Sequence, residues 1–240
     1  EQRSIELNPI FDDLYLEIES GGMDYSYNIG GRWSGKTYGI LQIMILICLK
    51  YPGYKWAIFR KVYASIKGTV FEELREILDE MDIRYLWEDR VSPLHIYLTN
   101  GSEFIFKGMD SKEKNKGLAR VHGFFMEELN EFDSMDFETI DNGIRGKEFP
   151  HYGFMAHNPV PKLPGSLYWF QKMFGSNQTQ GTLTKKEIPG LGKVLVSQTT
   201  FLNNAFCPEK RKQRLIGYKE TNPDLYKLWA LGEYTELKGA

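Results

Sequence analysis

Residues 30–37 place Gly30, four intervening residues (Gly31, Arg32, Trp33 and Ser34) and then Gly35, Lys36 and Thr37 between an apolar stretch and a long helical pattern. A chain of this composition meets that spacing by chance about once in a hundred cases, so the flanks decide its meaning. Upstream, residues 25–29 are aromatic and β-branched enough for a short strand. Downstream, residues 37–49 carry Ile40, Leu41, Met44, Ile45, Ile47, Cys48 and Leu49, apolar around most of a helix, and Tyr51, Pro52 and Gly53 end the pattern. A strand, a glycine loop and a helix start together aim backbone N–H groups and the positive end of the helix dipole at one point. That arrangement suits a polyphosphate. Gly30 and Gly35 allow close backbone approach, Lys36 reaches the β- and γ-phosphates, and the Thr37 hydroxyl completes a Mg²⁺ shell.

Phosphate binding becomes hydrolysis only with acids for the metal and for an attacking water. Residues 123–130 supply them: Phe124, Phe125 and Met126 read as a buried parallel strand ending in Glu127 and Glu128. Glu127 is assigned to Mg²⁺ and Glu128 to the water. The first acid of such a pair is commonly Asp, so the longer Glu127 implies a shifted or indirect metal contact. Glu127, Glu128 and Glu131 also suit a helix N-terminus.

The 240 residues carry a formal charge of −2 and 42% hydrophobic residues, enough for a substantial core and no overall basic field. Cys48 and Cys207 have no metal-ligand neighbours and read as reduced core residues. His95, His122, His151 and His157 form no metal-binding pattern. The longest apolar run is too short to span a bilayer and no secretory signal opens the chain, so a soluble, intracellular protein is expected.

Further strands are predicted at residues 55–60, 95–99, 103–107 and 152–156, with a hairpin at Asn100, Gly101 and Ser102, and an amphipathic helix over 69–81. The alternation predicts an α/β fold: a mostly parallel central sheet of the P-loop NTPase type, helices on both faces, and a small C-terminal lid subdomain. The expected division is an ATPase core at 1–192 and a lid at 193–240. Residues 161–192 read as irregular, 193–200 as a strand, and 208–231 as one or two helices broken near Asn222 and Pro223.

These motifs resemble those of the motor half of phage terminase large subunits, ATPases that pump viral DNA into a capsid. The resemblance runs through Asn8, Pro9, Ile10 and Phe11; through residues 30–37, where the family favours an arginine such as Arg32; and through Glu127, Glu128, Leu129, Asn130 and Glu131. It continues through Ala156, His157, Asn158 and Pro159 with Tyr168 and Trp169, and through residues 199–204 to Leu231, Gly232, Glu233 and Tyr234. It implies Mg²⁺-dependent ATP hydrolysis that moves double-stranded DNA into a procapsid. The implied partners are the portal, the small terminase subunit and further copies in a ring, in the cytoplasm of a bacterial host. A nuclease domain follows the motor in that family, and the end at Ala240 leads to the expectation of ATPase activity without DNA cleavage.

Arg32 is assigned to bridging or sensing the γ-phosphate, against a solvent-facing loop cation. Arg120 is a candidate finger offered to the next subunit. Asn158 reads as a coupling amide or as an ordinary Asn-Pro turn. Asn8 and Phe11 are candidates for an adenine pocket, Phe11 equally for hydrophobic docking. Three basic runs, Lys112, Lys114, Lys116 and Arg120, then Lys185 and Lys186, then Lys210, Arg211, Lys212 and Arg214, are candidate phosphate contacts or solvated faces. The competing readings are a helicase-like motor, for which no specific motif stands out, and a nucleotide-gated binding module with weak hydrolysis. A GTPase is disfavoured because Asn115, Lys116, Gly117 and Leu118 lack the guanine-reading acid.

Overall fold

The computed structural model describes residues 5–83, 86–110, 117–161, 163, 165–175 and 179–236. By contact density the chain forms two units, one of residues 1–7 and 37–154, the other of residues 8–36 and 155–240. The basic residues Lys112, Lys114 and Lys116, and Asn115, lie outside the described residues.

In the first unit the apolar runs become strands because they bury both faces. These are β2 (Lys55–Arg60), β6 (Gly123–Glu127) and the opening of β7 (Tyr152–His157), with β6 buried throughout. β5 (Glu103–Gly108) and β6 both pair parallel with β2, Ile58 standing beside Phe106 on one side and Phe125 on the other. β4 (Leu94–Leu98) returns antiparallel on β5 through the turn at Asn100, Gly101 and Ser102, as predicted. Its alternating burial, like that of β5, marks strands packed on one face. β3 (Trp87–Val91), missed by the sequence reading, is a mostly exposed charged edge beside β4. The order is therefore β3-β4-β5-β2-β6-β7. Helix α2 (Lys36–Lys50) enters this unit at Thr37 and buries Ile40, Leu41, Ile43, Met44, Ile45, Ile47 and Cys48.

The helix expected over 69–81 is regular only as α3 (Glu72–Glu80), preceded by a π turn (Lys67–Phe71) with Thr69 outside helical geometry. The Thr69 hydroxyl donates to the Ser65 carbonyl at 2.6 Å, a back-bond that competes with a regular helix start. Helix α4 (Ser134–Asp141) follows β6, fixed by reciprocal bonds between Asp133 and Asp136.

In the second unit, α1 (Pro9–Glu19) begins with proline at its first position and buries Ile10, Phe11, Leu14 and Ile18. Strand β1 (Tyr25–Gly30) pairs parallel with β9 (Gly192–Thr199) from Tyr25 beside Val194 to Gly30 beside Thr199. The order here is β7-β1-β9-β8. Residues 161–192, expected to be irregular, contain α5 (Trp169–Phe174) and β8 (Leu183–Ile188), the latter antiparallel to β9. Both were hidden for a physical reason. α5 is under two turns long, and β8 is a polar edge strand carrying Lys185, Lys186 and Glu187.

The boundary drawn from sequence between residues 192 and 193 falls at the first residues of β9, a full partner of β1. A separate hydrophobic cluster begins later, with Phe201, Cys207, Leu215 and Ala230 buried and Tyr218, Tyr226 and Trp229 packed on it. It joins α6 (Glu209–Thr221) to α7 (Pro223–Leu225) and a π turn (Tyr226–Ala230), the break falling at Asn222 and Pro223 as expected. Both cysteines are free and buried. Among the described residues no helix is long and apolar enough to cross a membrane.

Candidate active site

β1 delivers the chain to Gly30, and the Gly31 N–H donates to the Thr199 carbonyl at 3.0 Å, the last bond that ties the chain to β9. The loop then turns through two left-handed residues, Trp33 at φ 62° and Gly35 at φ 76°. A non-glycine residue held there marks a loop whose surroundings over-determine it. A Cβ at Gly35 would stand 2.8 Å from Asn8 Nδ2, and one at Gly31 would stand 2.6 Å from the carbonyl oxygens of both Trp229 and Ala230. These glycines are sites of close approach. α2 starts at Lys36, so its first N–H groups, lacking intrahelical acceptors, face the loop. Ser34 is buried at 2% exposure, and its hydroxyl oxygen has no partner among the described residues. A buried hydroxyl is costly to leave unpaired, so this one suits a cradle for phosphate oxygens.

Lys36 is buried, and its ammonium donates to the side-chain oxygen of Asn158, the residue after β7. Two residues singled out separately in the sequence thus meet. His157, one residue earlier, is 1% exposed, shares a hydrogen bond with the Tyr234 hydroxyl, and stacks on Tyr27 at 5.6 Å between ring centroids. Burial, and then the nearby Lys36 charge, push its pKa down to about 3. A histidine neutral in the fold but titrating at 6.5 when unfolded stabilises the fold fully above that value, and the contribution fades as pH falls toward 3. Denaturant titrations should show about 2 kcal/mol lost near pH 5 relative to pH 7, a loss absent in His157→Gln.

Arg32 lies with its guanidinium carbon 3.8 Å from the Trp229 ring centroid, and its backbone N–H donates to the Trp229 carbonyl at 2.6 Å. Trp33 is exposed, its carbonyl accepts from Asn204 Nδ2 at 2.9 Å, and Arg211 stands 5.0 Å over its ring. Asn8 accepts from the Ala205 N–H at 3.0 Å, while Phe11, at 1% exposure, belongs to the core. Hydrophobic docking therefore accounts for Phe11.

In the first unit, Glu127 ends β6 at 8% exposure and accepts from Arg60 Nη1 at 2.7 Å, with Glu131 3.4 Å from Arg60 Nη2. The pairing follows from register: Phe59 stands beside Met126, which sets Arg60 at the end of β2 beside Glu127 at the end of β6. Burial alone would lower the Arg60 pKa, but Glu127 and Glu131 outweigh it and raise the value. Arg60→Ala should cost about 3 kcal/mol in chemical denaturation by removing the guanidinium from beside a buried carboxylate, whereas Arg60→Met with Glu127→Leu should recover much of that. Glu128 is half-buried at φ 58°, and the chain reverses there into a 3-10 turn (Leu129–Glu131). Glu127 belongs to β6, and Glu131 is the last residue of the three-residue turn, so these acids do not head a helix.

Arg120 is placed elsewhere. It precedes β6, whose length puts about 13 Å of strand between its start and Glu127. There it lines a cleft of about 280 Å³ with Lys55, Glu103 and Ala119. The second basic run is engaged structurally, Lys185 with Glu17 at 2.8 Å and Lys186 with the Phe174 carbonyl at 2.6 Å. The third lies on the first half of α6. Among the described residues no group of three or more His, Cys, Asp and Glu gathers as a metal site. His95 bonds Glu103, His122 bonds Glu148, and His151 bonds the Gly146 carbonyl.

A family model described as phage terminase large subunit matches residues 23–233, nearly the whole chain. The chain belongs to that family. The terminase large subunit of Bacillus phage SPP1 is 29% identical over 245 aligned residues, covering 96% of this chain and 54% of that protein. The chain spans about half the length of the curated relatives it matches. The large terminase of the thermophilic bacteriophage D6E superposes with a TM-score of 0.73 at 13% identity, over 96% of this chain and 54% of that one, and related crystals hold ADP and ATP-gamma-S. The ATPase domain of the Thermus phage P74-26 large terminase gives a TM-score of 0.62 at 17% identity, covering 91% of this chain and 92% of that domain. These structures share the mixed α/β architecture with its mostly parallel sheet. In the second unit no contiguous motif announces that Trp229 meets Arg32 or that Tyr234 meets His157, and in the first unit the register of β2 against β6 is what brings Arg60 to Glu127.

Proposed function

We propose that this chain is the ATP-hydrolysing motor of a terminase that drives double-stranded DNA into a procapsid. The observation that carries the reading is the Gly30 to Thr37 loop, which joins β1 to α2 with Lys36 buried at the helix start, inside a chain matched by the terminase family over residues 23–233. The nucleotide complexes of the D6E protein support the same choice of ligand.

In this reading, Lys36 and the loop N–H groups bind the β- and γ-phosphates, and Arg32 adds charge at the γ-phosphate. Glu128 orients and deprotonates the attacking water. Thr37 and Glu127 are the residues for Mg²⁺. They fit it: both present hard oxygen, and Mg²⁺ commonly takes only one or two carboxylates beside substrate phosphates and water. Held there, the ion would supply Lewis-acid charge that offsets the negative charge of the phosphates. Asn158 senses the position of Lys36, and the Phe201 cluster with α6 and α7 acts as the lid that responds to product release. Arg120, which precedes β6 at the end away from Glu127, is the finger for a neighbouring copy in a ring. The portal, the small subunit and the bacterial cytoplasm complete the setting.

Phosphate release from Mg²⁺ and ATP tests the activity directly. Turnover should fall at least about 100-fold when the metal is chelated. A rate that survives chelation would remove the metal, and with it this mechanism.

A further inference from the structure

An arginine can be held by its face while its edge stays available for hydrogen bonds, because stacking uses the π surface and the N–H donors lie in the plane. Arg32 meets this description. Its guanidinium carbon lies 3.8 Å from the Trp229 ring centroid, and among the described residues its side chain forms no hydrogen bond or ion pair with an acid. The platform is itself braced. Trp229 is half-buried, and its ring meets Tyr218 of α6 edge-on at 5.7 Å and 78°. The main chain sets the distance, since the Arg32 N–H donates to the Trp229 carbonyl and the Gly31 position admits no side chain against the same carbonyl.

We propose that Trp229 is a positioning residue for Arg32, fixing the plane of the guanidinium so that its edge meets the terminal phosphate of a triphosphate. The inference rests on the nucleotide-binding reading of the loop and adds a specificity-determining residue to it. A long arginine on an exposed loop loses much side-chain freedom on binding an anion, and a stacked one has already lost it. The gain applies only to a ligand with a γ-phosphate, so Trp229 sets the preference for triphosphate over diphosphate. An acid-paired arginine would instead have to break an ion pair first.

Calorimetric titration with a non-hydrolysable ATP analogue and with ADP, both with Mg²⁺, reads this preference as a ratio of Kd values. Trp229→Leu should lower the ratio about fivefold by weakening analogue binding while ADP binding holds, and Trp229→Phe should restore most of it. In an Arg32→Ala background, Trp229→Leu should change the ratio no further. Arg32→Lys, a surface-loop change that keeps charge but loses the plane, should behave like Trp229→Leu and carries the test even if the tryptophan variant does not fold. Equal weakening of both ligands by Trp229→Leu, an unchanged ratio in Arg32→Lys, or an additive effect in the Arg32→Ala background would overturn the proposal. Failure of the unaltered chain to bind either nucleotide would instead overturn the reading of the loop itself.

Discussion

Lys36→Met should reduce ATP turnover by at least about 1,000-fold and weaken nucleotide binding, with little change in thermal stability. The methionine keeps the apolar stem that Lys36 buries at the head of α2 and deletes only the ammonium. The ammonium donates to the Asn158 side-chain oxygen, an amide that is only half-buried and can turn to water when the ammonium is lost. The structural cost is accordingly small. The catalytic cost is large because a buried, preorganised cation beside a polyphosphate acts where water screens it little. Phosphate release and calorimetric nucleotide binding, measured together with melting, separate the two. A variant that melts normally and still turns over within tenfold of the unaltered chain would take Lys36 out of the mechanism. On the proposed coupling role, Asn158→Ala should retain nucleotide binding and uncouple phosphate release from DNA movement.

Glu128→Gln should lower turnover by about 100-fold to 10,000-fold while leaving nucleotide affinity within a factor of about two, the pattern of a general base that contributes only in the transition state. The substitution preserves shape and hydrogen-bonding reach and removes the capacity to take a proton. Backbone geometry singles Glu128 out from its neighbours. It sits at φ 58°, between the buried end of β6 and the 3-10 turn, in a conformation that costs a non-glycine residue of order 1–3 kcal/mol. Glu127, by contrast, is held by Arg60 at 2.7 Å, so its substitution would mix loss of metal binding with loss of stability. Single-turnover phosphate release in Glu128→Gln at saturating ATP is the decisive readout. An unchanged rate would move the reading to a nucleotide-gated binding module.

The local chemistry of the site was legible in the chain because its parts are contiguous. A strand, a glycine loop and a helix occupy neighbouring residues 25–50, and the apolar run at Phe124, Phe125 and Met126 ends directly in its two acids. The strands buried on both faces were equally readable, since continuous apolar runs bounded by turns have few other uses. What periodicity could not show were the elements that tertiary context alone stabilises. β3 and β8 are charged edges with no apolar alternation, and α5 is too short for a helical period to emerge. The Arg60–Glu127 pair required the register of β2 against β6, and the stacking of Arg32 on Trp229 joins residues from opposite ends of the chain. An Asn-Pro turn and a coupling amide were alternatives for Asn158 in the sequence, and the bond to Lys36 gives the amide a specific partner.

A crystal structure of the chain with Mg²⁺ and a non-hydrolysable ATP analogue tests whether the Gly30 to Thr37 loop holds a triphosphate. The β- and γ-phosphate oxygens should lie within hydrogen-bond distance of the N–H groups at the start of α2, with the Lys36 ammonium on those oxygens and the Arg32 edge on the γ-phosphate. A nucleotide bound elsewhere, with Lys36 making no phosphate contact, would contradict that placement.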